Sequence, residues 1–304
     1  MLQKLKMNIK KYKSVQNSYL KILELMYVLP FIPNELPTKI FYSSSTGKKL
    51  NLKAPKSFNE KLQWIKLYHR DPLYTLCADK FKVREYVEDK GFGDILNKLY
   101  GIYDSVDDIK FGELPNSFVV KGTKNGHIIC NDISNIDINA EIKLFKKELK
   151  KNFGMSTGEF HYTKIKQRVI VEEYLGFPNG ELPLDYKIYC FNGEPFCICV
   201  YERDATDFST RRFFYDFDWN PLPEYITGVF ASDPNRYKKP KNLDSMYNIA
   251  KGLSEDFPFV RVDLYNLNGK IYFGELTFTP TSGIGKAYTE KALQIFGEKI
   301  KLPV

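Results

Sequence analysis

Two polar pairs near the C-terminus sit inside runs that otherwise read as β-strands. Arg261-x-Asp263 lies within FVRVDLY (259–265), and Glu275-x-Thr277 ends KIYFGEL (270–276) and its next residue. Successive side chains alternate across a strand, so residues two apart share a face. Burial in a sheet makes such polarity costly unless it serves a purpose. If the two strands turn these faces the same way, the carboxylates of Asp263 and Glu275 converge beside a guanidinium and a hydroxyl. That set suits Mg²⁺, which takes one or two carboxylates and completes its octahedron with phosphate and water. A neighbouring Arg suits phosphate oxygens or a developing oxyanion. The competing reading is an Arg–carboxylate ladder on a solvated sheet face. Register decides between them. Asn268-Gly269 is a type I′ hairpin dipeptide, and a strict two-residue turn there sets Asp263 opposite Gly274 and sends Glu275 to the other face. The metal reading therefore requires a three-residue loop or a bulge.

Two lysines extend the pattern. Lys121 closes the apolar run FVVK and opens the Gly-containing stretch KGTKNGH. Lys187 lies in YKIYCF-NG-EPFCICVY, a second Asn-Gly hairpin, two residues after Asp185. Each alone reads as a snorkelling surface lysine. Beside a carboxylate pair they fit a phosphate site in which strands supply the cations and a flexible loop covers the phosphates. A P-loop is excluded, because Tyr42 occupies the first-glycine position ahead of Gly47-Lys48. Within the hairpin, a strict Asn192-Gly193 turn pairs Tyr189 with Phe196 and Lys187 with Ile198. It gathers Cys190, Cys197 and Cys199 with Ile188 on one buried face.

The elements that must hold these residues form an α+β pattern. Residues 36–56 read as a polar loop. Ser57 and Glu60 make a capping box for a helix beyond. A second helix is expected over Leu76–Lys90, ending at Gly91. Strand-like SFVV and HIIC follow Leu114-Pro115, then a Lys-rich helix over 140–152, a strand over 168–175 and a last helix over Tyr288–Ile300. The length, 304 residues, suits two domains. The expected divisions are a mainly helical region over 1–115 and β-rich units over 116–178 and 179–304. Net charge is +8, but 37 of the 45 cations are Lys. Guanine and phosphate readers favour Arg, so this balance argues against a nucleic-acid partner. An anionic small ligand or a membrane surface explains it as well. Five cysteines outside any metal spacing and only three His argue against zinc and for reduced thiols in a cytoplasmic setting. The Met1–Lys13 segment carries five Lys and no acid, and an apolar run over Tyr19–Ile32 follows it. That segment reads as a helix packed on its own domain or one lying on an anionic inner-membrane surface.

The order Lys80, Lys121, Val171-Glu172-Glu173-Tyr174-Leu175, Lys187, Arg261-x-Asp263 and Glu275-x-Thr277 resembles the ATP-grasp superfamily. Within it, the chain is similar to the TupA-like ATP-grasp proteins of bacterial surface-polysaccharide loci. The strings SFNEKLQW, ADKFKVREYV, LPNSFVVK, RVIVEEYLG, DYKIYCFNGEP, FPFVRVDLYNLNGKIYFGELTF and TPTSG carry the likeness from about Ser57 to Lys286. It implies ATP held between two α+β subdomains, with Lys80, Lys121 and Lys187 on the phosphates and Asp185 beside them. It implies that the Glu172–Leu175 hinge reads adenine, with Glu172 or Glu173 bonding the amine or ribose. Asp263, Glu275 and Thr277 would hold Mg²⁺, and Arg261 and Lys187 would act on the transferring phosphoryl group. Lys124 and the Gly126 N–H would cover the phosphates. Thr281, Ser282 and Gly283 would cradle the acceptor carboxylate. Two differences stand out: Thr277 replaces the Asn of many ATP-grasp enzymes, and the phosphate-covering loop is short. The implied reaction joins an amine to a uronic-acid carboxylate through an acyl phosphate. A glycosyltransferase using Asp216-Phe217-Asp218 and a phosphotransferase on a sugar hydroxyl are the alternatives.

Overall fold

The computed structural model describes residues 2–151, 154–177, 181–203, 210–228, 231 and 233–303, with side chains from Val15 onward. The chain opens with helices α1 (Leu2–Val28) and α2 (Glu35–Thr46). The second replaces the polar loop expected over the first part of 36–56. Phe41 and Tyr42 bury against the body of the protein, and this packing overrides the weak helix propensity of the Ser-Ser-Ser-Thr run. Ser44 and Thr46 turn their hydroxyls back onto the carbonyls of Phe41 and Tyr42, and Gly47, at φ 73°, ends the helix. Helix α3 (Phe58–Tyr68) begins at the expected capping box, with Ser57 accepting from the Glu60 N–H and Glu60 accepting from the Ser57 N–H. Its Phe58 is fully buried and meets Phe259 edge-on at 4.9 Å, which ties the helix to the sheet below. Burying such a ring contributes roughly 2–3 kcal/mol.

The single helix expected over Leu76–Lys90 is two: α4 (Pro72–Ala78) and α5 (Val83–Asp89). Asp79 makes the break. Its carboxylate accepts the N–H groups of Phe81 and Lys82, while the Lys80 N–H reaches the carbonyl of Thr123. The interruption sets Lys80 against the loop that follows Lys121.

Two antiparallel sheets follow. The first has the order β1 (Leu99–Tyr103), β4 (Val169–Glu173), β2 (Phe118–Gly122), β3 (His127–Cys130). Strand β1 precedes residue 116, so this sheet draws on chain from the region expected to be helical. Helix α6 (Ile138–Leu149) buries Phe145 in a small core with Val120, Ile128 and Val171. The short α7 (Phe160–Thr163) leads toward β4. The second sheet has the order β7 (Thr210–Tyr215), β6 (Glu194–Arg203), β5 (Asp185–Phe191), β8 (Phe259–Leu267), β9 (Lys270–Thr277). Helices α8 (Leu243–Ser254) and α9 (Glu290–Lys299) complete the main core, and α9 starts two residues later than expected.

Both hairpins turn on their Asn-Gly pairs in left-handed backbone, and both then slip by one residue. In β5–β6 the shift pairs Tyr189 with Cys197 and Lys187 with Cys199, not with Phe196 and Ile198. Cys197 and Cys199 therefore share a face with Lys187, while Cys190 points the other way, with its sulfur 3.8 Å from the Ala250 carbonyl on α8. The three thiols are buried as expected, but on two faces. In β8–β9 the irregularity falls at Gly274, where a side chain would bring its Cβ to 2.9 Å from the Asp263 carbonyl oxygen.

Candidate active site

The bulge at Gly274 sets Glu275 opposite Asp263 and Thr277 opposite Arg261. Strand β5 pairs Lys187 with Asp263 on the other side. Lys187, Asp263 and Glu275 thus form one row across three strands and face one way. That face looks into a cleft of about 290 Å³. The opposite wall comes from the first sheet through Lys121 and Glu172, and Lys80 reaches in from the α4–α5 break. The cleft's lining is part apolar, with Val119, Ile129, Tyr174, Leu175 and Leu182, and part charged, with Lys80, Lys121, Glu172, Lys187, Asp263 and Glu275.

The charges are tightly paired. Arg261 grips Asp263 with two parallel bonds of 2.6 Å, and its Nη2 also lies 3.3 Å from Glu275 Oε1 and 3.0 Å from Thr277 Oγ1. Lys187 Nζ is 2.5 Å from Asp263 and 2.6 Å from Asp185. Burial pushes the Asp263 carboxyl up to about 6, with Arg261 and Lys187 pulling against it. Glu275 also meets the penalty of burial, but Lys187, Arg261 and Lys80 outweigh it and hold this carboxylate at about 2. It stays charged at any physiological pH. Lys80 carries no ion pair among the described residues; its ammonium donates to the Lys124 carbonyl at 2.9 Å, and burial lowers its pKa. Glu172 is taken up by Lys121 at 2.7 Å and Arg84 at 3.3 Å. Of the two hinge acids this leaves Glu173 with no ion pair among the described residues.

The remaining expected residues lie around this centre. Gly126, at φ 80°, lines the cleft, whereas Lys124 contributes only the carbonyl that holds Lys80. The covering loop is pinned by Asn125, which donates to the Glu148 carbonyl of α6. Thr281, Ser282 and Gly283 are three consecutive left-handed residues outside the cleft's lining. Ser282 spends its hydroxyl on Glu159, and its carbonyl accepts from Gln63 and Lys66.

The sequence model of the TupA-like ATP-grasp proteins matches residues 60–301, about four-fifths of the chain. The chain belongs to the TupA-like ATP-grasp family. No curated protein matches its sequence. Among solved structures, it resembles the D-alanine–D-alanine ligase of Bacillus anthracis complexed with ATP, at 17% identity and a TM-score of 0.45, over 82% of this chain and 69% of the other. The Helicobacter pylori D-alanine–D-alanine ligase gives 14% identity and a TM-score of 0.47, over 81% and 69%. The L-amino acid ligase of Bacillus licheniformis gives 14% and 0.40, over 74% and 48%.

For this TupA-like chain, the donor set is compatible with magnesium in one particular way. Among the described residues no three His, Cys, Asp or Glu side chains form a metal cage. Two carboxylates on one cleft face, with phosphate and water completing the shell, need none. Asp263 is nearly sealed from solvent and held by two cations, while the Glu275 side chain is 48% exposed to the cleft. Glu275 is the better-placed donor of the two.

Several residues here carried no sequence signal. Lys66 is buried in α3 and donates to the carbonyls of Thr157 and Ser282, with its pKa lowered by burial to about 8. Glu159 accepts from Thr157, Thr279 and Ser282. This knot fixes the Thr281–Gly283 turn against α3. Next to it His161 packs edge-on against Phe278, its buried Nε2 without a hydrogen-bond partner among the described residues. Burial lowers its pKa to about 4. The unfolded chain takes up this proton near pH 6.5, about where free His titrates. Stability should therefore fall as pH drops from about 6.5 to about 4, by up to about 3 kcal/mol from this group. Urea denaturation of wild type and His161→Phe at pH 7 and pH 4.5 tests this. The variant should lose less stability on acidification, and equal losses would refute the burial argument.

Proposed function

We propose that this TupA-like ATP-grasp protein is an ATP- and magnesium-dependent carboxylate–amine ligase. Its carboxylate substrate would be a uronic acid of a surface polysaccharide, and its second substrate an amino acid or similar amine. One observation carries the reading: Asp263 and Glu275 face a single cleft opposite Lys80 and Lys121, with Arg261 reaching both acids and Thr277. The apolar part of the lining, by Tyr174 and Leu175, suits adenine, with Glu173 available to the amine or ribose. The charged part suits the triphosphate.

Magnesium, held by Glu275 and Asp263 with Thr277 beside them, would supply charge neutralisation on the phosphates. The chain's own residues do the rest by position. Lys80 and Lys121 meet phosphate oxygens, and Lys121 exchanges part of its pairing with Glu172 for them. Arg261, buried behind Asp263 and Glu275, would act on the transferred group by giving up part of its grip on them. A substrate carboxylate oxygen attacks the γ-phosphorus and ADP leaves. The amine nitrogen then attacks the acyl carbon, phosphate leaves, and the amine gives up a proton. No nucleophilic side chain is needed. The five thiols are buried, which fits that absence. A reaction that consumes ATP would take place in the cytoplasm.

The glycosyltransferase reading weakens at Asp216-Phe217-Asp218. Asp216 uses both oxygens on Asn220 to close a turn, and Phe217 packs against Tyr247. The deciding assay offers ATP, Mg²⁺ and uronates with and without amines. ADP release that needs both partners supports the ligase. Release with a hydroxyl acceptor alone means a phosphotransferase, and consumption of a nucleotide-sugar means a glycosyltransferase. In the same assay Lys121→Ala should weaken ATP binding by about tenfold or more, the loss of one charge-assisted phosphate contact. Unchanged affinity would remove Lys121 from the phosphate site.

A further inference from the structure

We propose that the outward face of α1, with the turn that follows it, docks on an anionic lipid bilayer surface. The helix has two unlike sides. Leu23 and Tyr27 face inward and are buried, and the Tyr27 hydroxyl bonds Thr38 of α2 at 2.8 Å. Ile22, Leu25 and Val28 fall on the other side, each more than half exposed, and Phe31 in the turn is 76% exposed. At 100° per residue these three helical positions span a 120° arc centred away from Leu23 and Tyr27. Lys21 lies within that arc. No partner within the described chain covers these side chains, so water meets a contiguous apolar strip.

Charge selects the occupant. The first thirteen residues of the chain hold five Lys and no acid, about two helical turns before the apolar strip. A basic run joined to an exposed apolar helix face matches a bilayer interface, where apolar side chains enter the acyl boundary and lysines meet anionic headgroups. A second copy fits less well, because it carries the same net positive charge and offers no acidic complement. The helix lies on the membrane and does not cross it: among the described residues none is long and apolar enough to span. This inference does not depend on the ligase reading.

The test uses the full chain with phosphatidylcholine vesicles, with and without phosphatidylglycerol. The wild type should co-sediment with the anionic vesicles only, and added salt should release it. Ile22→Asp with Leu25→Asp should weaken that binding by about tenfold or more, with melting temperature unchanged because both side chains are exposed. Wild type that stays in the supernatant with anionic vesicles overturns the proposal, as does equal binding by the double variant. A wild-type dimer in light scattering that the double variant abolishes would also overturn it and give the face to a second copy.

Discussion

Glu275→Gln is expected to lower ADP formation by about 10²–10³-fold, the usual effect of removing one preorganised charge from a polar reaction centre. Its melting temperature should fall by only a few degrees, because Lys187, Arg261 and Lys80 lose a counter-charge that is half exposed and so partly screened. The side chain is half exposed to the cleft, and glutamine keeps an oxygen where Glu275 accepts from Thr277 at 2.9 Å. Only the charge goes. Asp263→Asn makes an instructive contrast. Asp263 receives three short charged bonds, two from Arg261 and one from Lys187, and is nearly sealed from solvent. Removing its charge takes the nearest counter-ion from buried Arg261 and one of two from Lys187, and should cost about 3–5 kcal/mol of stability. Lost activity in Asp263→Asn therefore cannot separate a missing metal ligand from a loosened fold, whereas Glu275→Gln can. Steady-state ADP release and titration of Mg-ATP binding, read beside a thermal melt, provide the measurement. Wild-type turnover by Glu275→Gln would end the reading of this cleft as a phosphoryl-transfer site.

Much of this arrangement was legible in the chain because it rests on local chemistry. The Ser57–Glu60 capping box and both Asn-Gly turns depend on residues within a few positions, and each forms as read. Arg261, Asp263, Glu275 and Thr277 could be grouped by strand alternation alone. Register could not be counted from the turns. Each hairpin shifts by one residue where packing favours it, and only Gly274 left a mark, since a glycine inside a strand commonly signals a bulge. In the first hairpin the shift at Tyr189/Cys190 carries no such mark, so the grouping of cysteines on one face went wrong. The split between α4 and α5 was hidden because Asp79 caps a helix from within what reads as a continuous apolar period. The knot of Lys66, Glu159 and Ser282 joins residues 91 to 216 positions apart, and no local pattern announces such contacts. The chain alone suggests Asp263 as a metal ligand. Its part as the counter-ion of two buried cations appears only once the strands are paired.

That second part gives a stability effect as large as that of Asp263→Asn. Lys187→Met should destabilise the protein by about 3–5 kcal/mol at pH 8. Lys187 is buried between Asp185 and Asp263, and burial, which alone would lower its pKa, is overcome by these two carboxylates, so it stays charged. Methionine fills similar space but leaves two buried acids, one of which, Asp185, already has an oxygen with no hydrogen-bond partner among the described residues. Arg261 can still hold Asp263. Asp185 is left without its ion pair, and the Asp263 carboxyl, already raised by burial, loses the lysine that pulls it down and rises further. A raised folded-state pKa means the folded variant keeps a proton that the unfolded chain releases near pH 4. Relative to wild type, the variant should be weakest at alkaline pH and should recover as pH falls toward about 5. Urea denaturation at pH 8 and pH 5 reads this directly, and adding Asp185→Asn should restore part of the loss at pH 8. If Lys187→Met matches wild type at pH 8, the row of Lys187, Asp263 and Glu275 is not held by charge. The rigid floor that any phosphate ligand here requires would then need another origin.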